Sequence, residues 1–176
     1  IGGNANIARA GATILARENL RTRLAKQGIA SGGAPAVPAP PEALPVVTYD
    51  QRMVIHMNGE DVEMIPVRAA HTDGDTMVWF PKANVIMVGD FYRSFGYPNI
   101  DRNNGGSLQG MLDGLDAVVK LARADTKIVP GHGAVVDKTA VARHKDIIAA
   151  VRDRIDALVK QGMTQEQVIA ARSEEH

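Results

Sequence analysis

The chain has 176 residues, enough for one ordinary domain with a sizeable core but cramped for two. Its 20 basic residues balance its 20 acidic residues, so the bulk charge provides no attraction to nucleic acid or to an anionic membrane. There is no cysteine, which excludes disulfides, thiolate metal sites and cysteine nucleophiles. Apolar residues make up 45% and aromatic residues only 4%, so we expect an aliphatic core. No apolar run approaches the roughly 20 residues that span a bilayer.

The first 45 residues predict two short helices, one strand and a loop. Asn4 is predicted to cap a short helix, Thr13 to Ala16 to form a strand, and Glu18 to Lys26 to form a second helix. Residues 28–45 hold five of the nine prolines and three glycines, which is typical of a surface loop or short linker. The basic positions of the second helix indicate a solvated face, formed by Arg17, Arg21, Arg23 and Lys26.

The middle of the chain is predicted to be antiparallel sheet. Two apolar runs, Arg52 to Met57 and Asp61 to Val67, flank Asn58-Gly59, a pair that suits a tight hairpin turn. Two further strands are predicted at Thr76 to Phe80 and at Asn84 to Val88.

Three later helices are indicated by N-caps followed by apolar residues at helical spacing. Ser107 is predicted to cap the first and Asp137 the second, with a short buried strand at Thr126 to Val129 between them. Thr164 and Gln167 form a capping box for the third. The apolar stripe of the first comprises Leu108, Met111, Leu112, Leu115, Val118, Val119 and Ala122, and the apolar face of the second comprises Ile148, Val151, Ile155, Leu158 and Val159.

This order of elements indicates a single α/β (α+β) domain over residues 1–176. Strands followed by helices, with helices also at the front, predict a sheet sandwiched by helices rather than a purely parallel array. Residues 28–45 form its surface loop.

Three short segments place a candidate metal ligand directly after a strand and beside small residues. They contain His71, Asp90 and His132. The strand end fixes the backbone of the ligand, and the adjacent glycines leave space for an ion. Imidazole and carboxylate ligands suit zinc, and also iron or manganese. Taken singly, each histidine is also explained as a hydrogen-bonded packing residue and Asp90 as a turn residue, while Asp73 and Asp75 are interpreted as orienting the His71 loop.

The order and spacing of these segments closely resemble the downstream motifs of the metallo-β-lactamase-fold hydrolases. The shared motifs are His-Thr-x-Gly-Asp at residues 71–75, Val-Gly-Asp-Phe at 88–91 and Pro-Gly-His-Gly at 130–133. The opening Gly2-Gly3-Asn4 also resembles the residues that commonly follow the family's His-x-His-x-Asp-His signature. The likeness covers nearly the whole chain.

This resemblance implies an αββα sandwich with a zinc centre of one or two ions at one edge. It implies that His71 completes the first metal site and that Asp90 bridges both ions as the catalytic carboxylate. It also implies that His132 completes the second site. Neither His56, in the hairpin, nor His144, on a predicted helix, matches a ligand motif.

The His-x-His-x-Asp-His signature itself does not occur in the 176 residues, and neither do the strands that precede it in the family. We therefore expect a domain that is incomplete at its N-terminus, with zinc binding that is weak or absent in this chain. Three interpretations stay open: the chain is part of a longer enzyme, another chain supplies the missing strands, or the protein is a non-catalytic remnant. An unpaired strand edge would favour a homodimer or a strand-swapped oligomer.

The residues after Asp90 hold most of the few aromatic side chains and are candidates for a substrate wall. These candidates are Tyr92, Arg93, Phe95 and Tyr97, with Arg93 or Arg102 meeting an anionic group of a small-molecule substrate. A locally packed loop explains the same residues equally well. Trp79 and Phe80, within a strand, are predicted to be core.

The resemblance predicts hydrolysis of a lactam, lactone, thioester or related bond by metal-activated water. The competing hypothesis is a catalytically inactive interaction module with the same fold. The sequence leaves the localisation undetermined between cytoplasm and periplasm.

Overall fold

The computed structural model describes residues 3–29 and 35–171, which form two sheets flanked by helices. The elements in chain order are α1 Asn4–Arg9, β1 Leu15–Arg17, α2 Glu18–Lys26, β2 Val47–Tyr49, β3 Met53–Met57, β4 Glu60–Pro66, β5 Thr76–Phe80, β6 Val85–Arg93, α3 Leu108–Leu121, β7 Lys127–His132, α4 Lys138–Lys160 and α5 Gln165–Ala171. Two short 3-10 turns lie at Pro41–Ala43 and Arg102–Asn104.

The larger sheet has five strands in the order β3-β4-β5-β6-β7. The first four are antiparallel, as predicted, and β7 runs parallel to β6 because α3 crosses over between them. The predicted hairpin turn is confirmed, since Asn58 and Gly59 have φ values of 52° and 72°. The sheet places the ends of β6 and β7 side by side, next to the residues that follow β4.

One face of this sheet packs against α3 and α4 and forms the core. Ile86 of β6, Ile128 of β7 and Leu115 of α3 are each 0% exposed. Burying a side chain of this size contributes about 1.5–3 kcal/mol. The N-caps that start the two helices are confirmed, because Ser107 accepts a hydrogen bond from the Gly110 N–H at 3.0 Å and Asp137 accepts one from the Ala140 N–H at 2.9 Å.

The opposite face carries a row of apolar residues across all five strands. Cross-strand partners lie on the same face of a sheet, and the register aligns Met53, Met64, Val78, Met87 and Val129. The small parallel sheet of β1 and β2 reaches this side, where the Tyr49 hydroxyl donates to Thr76 Oγ1 at 3.0 Å. The layers are therefore helix, small sheet, large sheet and helix.

The arginines along α2 do not form a solvated face, so that prediction is wrong for them. Arg17 donates to the Val67 carbonyl at 3.3 Å, Arg21 donates to the Pro45 carbonyl at 2.6 Å, and Arg23 forms an ion pair with Asp73. Lys26 is exposed as predicted. Guanidinium groups bridge α2 to the large sheet and its loops because they reach several acceptors at once.

Several other predictions need adjustment. Asn4 lies inside α1, where its side chain donates to the Ala43 carbonyl at 3.1 Å rather than capping the helix. The first strand is Leu15–Arg17 and not Thr13 to Ala16. Val159 is 57% exposed and does not share the apolar face of α4. Phe80 alternates onto the face opposite the core, whereas Trp79 packs against the core.

The last helix follows the prediction. The Thr164 N–H donates to Gln167 Oε1 at 2.8 Å and the Gln167 N–H donates to Thr164 Oγ1 at 3.4 Å, so the capping box of α5 is confirmed. Residues 30–34 of the predicted loop lie outside the described residues. Within the described ranges, no helix is long and apolar enough to cross a bilayer.

Candidate metal centre

His71, Asp90 and His132 come together at one edge of the large sheet. The Nε2 atom of His71 lies 3.8 Å from Asp90 Oδ2, and the Nε2 atom of His132 lies 3.5 Å from Asp90 Oδ1. The two imidazoles therefore approach different oxygens of one carboxylate. These three residues, which are far apart in the sequence, are called the edge triad below.

A bulge in β6 turns Asp90 towards the histidines. The pairing of β6 with β7 shifts register on both sides of Gly89, and the burial pattern changes from alternating to two exposed residues, Gly89 and Asp90, followed by two buried ones. A bulge inserts one unpaired residue and re-aims the side chains that follow it. Without it, continued alternation would place Asp90 on the core face with Ile86 and Val88.

Gly131 makes the close approach of Asp90 possible. A Cβ atom on Gly131 would lie 2.0 Å from Asp90 Oδ1 and 2.7 Å from the carbonyl carbon of Gly89. The second contact is with backbone, which cannot rotate away as a side chain can. The Pro-Gly-His-Gly segment therefore supplies space for the carboxylate as well as the His132 side chain.

His71 is held in one orientation by a backbone carbonyl. Its Nδ1 atom lies 2.8 Å from the Asn99 carbonyl oxygen, which can only accept, so Nδ1 carries the proton. In the neutral ring, Nε2 then has a lone pair that faces the Asp90 carboxylate. This is the tautomer of a metal-ligating histidine, whose other nitrogen characteristically donates to a carbonyl or carboxylate.

The loop that carries His71 is braced by its own carboxylates, as the sequence predicted. Asp75 accepts hydrogen bonds from the Thr72 N–H at 3.1 Å and from the Thr72 hydroxyl at 3.0 Å. Burial raises the pKa of the Asp75 carboxyl, against the opposing effect of these hydrogen bonds. Asp73 pairs with Arg23, whose guanidinium also donates to the Asn104 carbonyl at 3.4 Å.

The donor set fits a divalent cation in its chemistry. Two imidazole nitrogens and a carboxylate suit zinc, iron or manganese, and the fixed His71 tautomer leaves its ligating nitrogen unprotonated. The edge triad is nevertheless open. Within residues 3–29 and 35–171, no three His, Asp or Glu side chains are already arranged as a group that could hold a metal ion, so the triad would have to close around one.

Of the residues predicted to form a substrate wall, the structure buries Tyr92 and leaves Phe95 and Tyr97 exposed. Tyr92 is only 3% exposed and its ring stacks edge-on against His144, with ring centres 5.2 Å apart, so the structure moves it from the wall to the core. The Arg93 guanidinium lies 4.6 Å from the centre of the Phe95 ring. Phe95 and Tyr97 are 55% and 72% exposed, and the Phe95 ring lies beside Gly133, which follows His132.

His56 and His144, which match no ligand motif, have contacts of their own, and Arg102 was the alternative to Arg93 for an anionic substrate group. His56 contacts Asp61 across the hairpin, with Nδ1 and Oδ1 2.7 Å apart. His144 packs edge-on against Tyr92, and burial lowers the pKa of its imidazole. Arg102 has an exposed side chain in the 3-10 turn near the His71 loop.

Three contributors were missed by the sequence reasoning: Asn99, Arg23 and Gly131. Asn99 acts through its backbone carbonyl, which no side-chain motif encodes. Arg23 belongs to a basic run that resembles an ordinary solvated helix face. Only Gly131 had a signal, since it lies inside the Pro-Gly-His-Gly motif.

Comparison with known proteins identifies the fold. No protein-family model and no curated protein matches the chain. A metallo-beta-lactamase from Pontibacter korlensis is similar over 85% of this chain, with a TM-score of 0.66 and 15% sequence identity. TTHA1623, solved in a di-iron-bound form, is similar over 82%, with a TM-score of 0.63 and 20% identity. The stereoselective inverting sec-alkylsulfatase Pisa1 from Pseudomonas sp. is similar over 94%, with a TM-score of 0.63 and 14% identity.

The chain therefore has the metallo-β-lactamase fold, as its motifs predicted. This fold is used by hydrolases and by proteins that bind metal, which include the di-iron form above. The chain spans 63% of the Pontibacter protein, 69% of TTHA1623 and 32% of the alkylsulfatase.

Proposed function

We propose that the chain forms the metal-binding edge of a zinc-dependent hydrolase. The observation that carries this proposal is the approach of His71 and His132 to the two oxygens of Asp90, at 3.8 and 3.5 Å, on a metallo-β-lactamase fold. His71, Asp90 and His132 would hold the metal. The resemblance assigns the other ligands to a His-x-His-x-Asp-His segment, which does not occur in these 176 residues.

The roles of the three residues follow from their surroundings. His71 offers Nε2 because the Asn99 carbonyl keeps the proton on Nδ1. Asp90 presents one oxygen to each imidazole, so it is suited to bridge two ions or to orient a single one. His132 is 60% exposed, which leaves its side of the site open to a substrate.

The bound metal would supply Lewis acidity, polarising the bond under attack and making a coordinated water more acidic. The protein would supply the position of the substrate. Arg93, whose guanidinium lies beside the exposed Phe95 ring, is proposed to meet an anionic group. Phe95 and Tyr97 are proposed to form an exposed apolar wall, which suits a lactam, lactone or thioester with an organic substituent.

Calorimetric zinc titration of the 176-residue chain tests the site. We expect one weakly bound ion and little or no turnover, because the edge triad supplies only three ligands. The substitutions His71→Ala, Asp90→Asn and His132→Ala should each weaken binding at least tenfold. His56→Ala is the matched control, because it removes an exposed imidazole far from the triad, and it should leave binding unchanged.

Two results would contradict this assignment. Zinc binding that is insensitive to all three triad substitutions would show that the metal lies elsewhere. Two ions bound per chain at nanomolar affinity would show that the chain already contains the remaining ligands.

The coding sequence upstream of Ile1 separates the enzyme from the inactive interaction module. A His-x-His-x-Asp-His segment there would support the enzyme. A start codon close to Ile1 would support the module.

A further inference from the structure

Strand β3 is an edge of the large sheet, and its outer side has no strand partner among the described residues. It pairs on one side only, with β4. Val54 and Met57 on this strand are 39% and 52% exposed. An edge strand presents a row of backbone donors and acceptors that can pair with another strand.

The hairpin fixes which backbone groups of β3 point outwards. With the two-residue turn Asn58-Gly59, Met57 and Glu60 form the first hydrogen-bonded pair of the ladder. Hydrogen-bonded and non-hydrogen-bonded pairs then alternate, so Ile55 also bonds to β4. The N–H and C=O groups of Val54 and His56 therefore point away from β4, towards the free edge.

The usual protection of an edge strand is missing here. Met53–Met57 contains no proline, lysine or bulge. The charged side chains beside it are turned back to their own sheet. Arg52 pairs with Glu63 at 2.5 Å, and His56 contacts Asp61 at 2.7 Å.

We propose that a second copy of this chain pairs with β3 in antiparallel register about a two-fold axis at Ile55. Val54 then lies opposite the partner's His56, and the outward backbone groups form about four hydrogen bonds. The two five-stranded sheets become one continuous sheet.

The apolar face of the sheet selects this register. Residues opposite each other in an antiparallel pair share a face, so only registers centred on a residue keep the two apolar faces on one side. Centring on Ile55 places Ile55 against the partner's Ile55 and Met53 against the partner's Met57. Centring on Val54 would instead place Arg52 against the partner's His56 and leave Met57 unmatched.

Such an edge interface is small, so the dimer should be concentration-dependent, with a dissociation constant of about micromolar. Sedimentation velocity over a concentration series should shift the chain from 18.8 kDa towards twice that mass. Val54→Lys should abolish the shift by placing a charge on the free edge. Val159→Lys makes the same change at a similarly exposed residue of α4 and should leave the dimer intact.

Because the chain lacks cysteine, a single introduced cysteine can form a disulfide only with the same residue of a second copy. The cross-link therefore identifies the register. Ile55→Cys should form a covalent dimer on mild oxidation, since directly opposed residues are about 4.5–5.5 Å apart between Cα atoms, within disulfide reach. Val54→Cys should not, because it faces the partner's His56. Far-UV circular dichroism checks that each variant is folded.

A chain that stays monomeric throughout the series would overturn the proposal. So would oligomers that Val54→Lys leaves unchanged, or cross-linking of Val54→Cys in preference to Ile55→Cys.

Discussion

The two sides of the edge triad are built differently. On one side, His71 is 16% exposed, bonds to the Asn99 carbonyl and belongs to a loop braced by Asp75 and by the Arg23–Asp73 ion pair. On the other side, His132 is 60% exposed, and its carbonyl accepts one hydrogen bond, from the Ser94 N–H at 3.1 Å.

This difference separates two ways of positioning a ligand. The His71 side depends on side-chain hydrogen bonds spread over several elements, so the removal of one contact should loosen it gradually. The Asp90 and His132 side depends on backbone shape, on the Gly89 bulge and on the space at Gly131. A single added methyl group should therefore disrupt it more than the loss of any one contact on the His71 side.

The largest effect is expected for Gly131→Ala, on the side that depends on backbone shape. Its Cβ would overlap Asp90 Oδ1 and the Gly89 carbonyl carbon, at 2.0 and 2.7 Å. We expect the free energy of unfolding to fall by about 3 kcal/mol and zinc affinity to fall at least tenfold. Gly3→Ala is the control, since the nearest atom to its Cβ would be 3.7 Å away. Equal effects of the two substitutions, measured by denaturant unfolding and calorimetry, would refute the steric argument.

Arg23→Ala tests the side built from side-chain contacts. It removes an ion pair whose partners are 14% and 29% exposed, so we expect a loss of about 2 kcal/mol, below the value for a fully buried pair. Arg9→Ala removes an exposed pair, with partners 63% and 47% exposed, and should cost about 0.5 kcal/mol. Zinc affinity should fall for Arg23→Ala alone. A smaller loss for Arg23→Ala than for Arg9→Ala would show that the His71 loop does not depend on this clamp.

His144 packs edge-on against Tyr92, two residues after Asp90, and should make the stability of the folded chain depend on pH. Burial lowers the pKa of His144 in the folded protein below that of the unfolded chain. Stability is therefore complete above the ordinary histidine range and is lost as the pH falls through that range towards the folded pKa. His144→Phe keeps a ring against Tyr92 but cannot be protonated. It should therefore remove the part of the acid destabilisation that is due to His144. Thermal unfolding at about pH 7.5 and about pH 5.5 measures it. An identical pH dependence in the two proteins would contradict the assignment.

Among the site substitutions, the smallest effect on stability is expected for Phe95→Ala, at an exposed position on the Asp90 and His132 side. Phe95 is 55% exposed and lies against the Arg93 guanidinium and beside Gly133, so we expect a change of about 0.5 kcal/mol. Phe95→Trp retains a ring and should be neutral in the same thermal unfolding assay. A loss above about 2 kcal/mol would mean that Phe95 is a core residue.

Local chemistry made the helices and the hairpin predictable. Ser107, Asp137 and Thr164 begin their helices as expected, because a cap and the apolar spacing behind it act within one or two turns. The turn at Asn58-Gly59 was predictable for the same reason. Val159 and Phe80 were misplaced because the partner that covers a face is decided elsewhere in the chain.

The residues of the candidate site were predictable from the sequence, but the contacts that position them were not. His71, Asp90 and His132 stood out because of their motifs, and the structure brings them together. The ends of β6 and β7 were both predicted too early, at Val88 and Val129. The bulge at Gly89 interrupts the alternation of β6, and Pro130-Gly131 interrupts the strand pattern of β7. Tyr92 was assigned to the substrate wall because it closely follows Asp90, but the structure places it in the core against His144.

The sequence alone indicated a sheet sandwiched by helices, because strand and helix patterns act over a few residues. The resemblance of its three short motifs to the metallo-β-lactamase-fold hydrolases implied the particular fold. Only the tertiary structure decided which carboxylate oxygen each imidazole approaches, which nitrogen of His71 is protonated and which arginines clamp the loops. These depend on contacts between residues 19 to 81 positions apart, such as His71 with Asp90 and Arg23 with Asn104. Such contacts leave no pattern along the chain, because they form only when the sheet has brought its strand ends together.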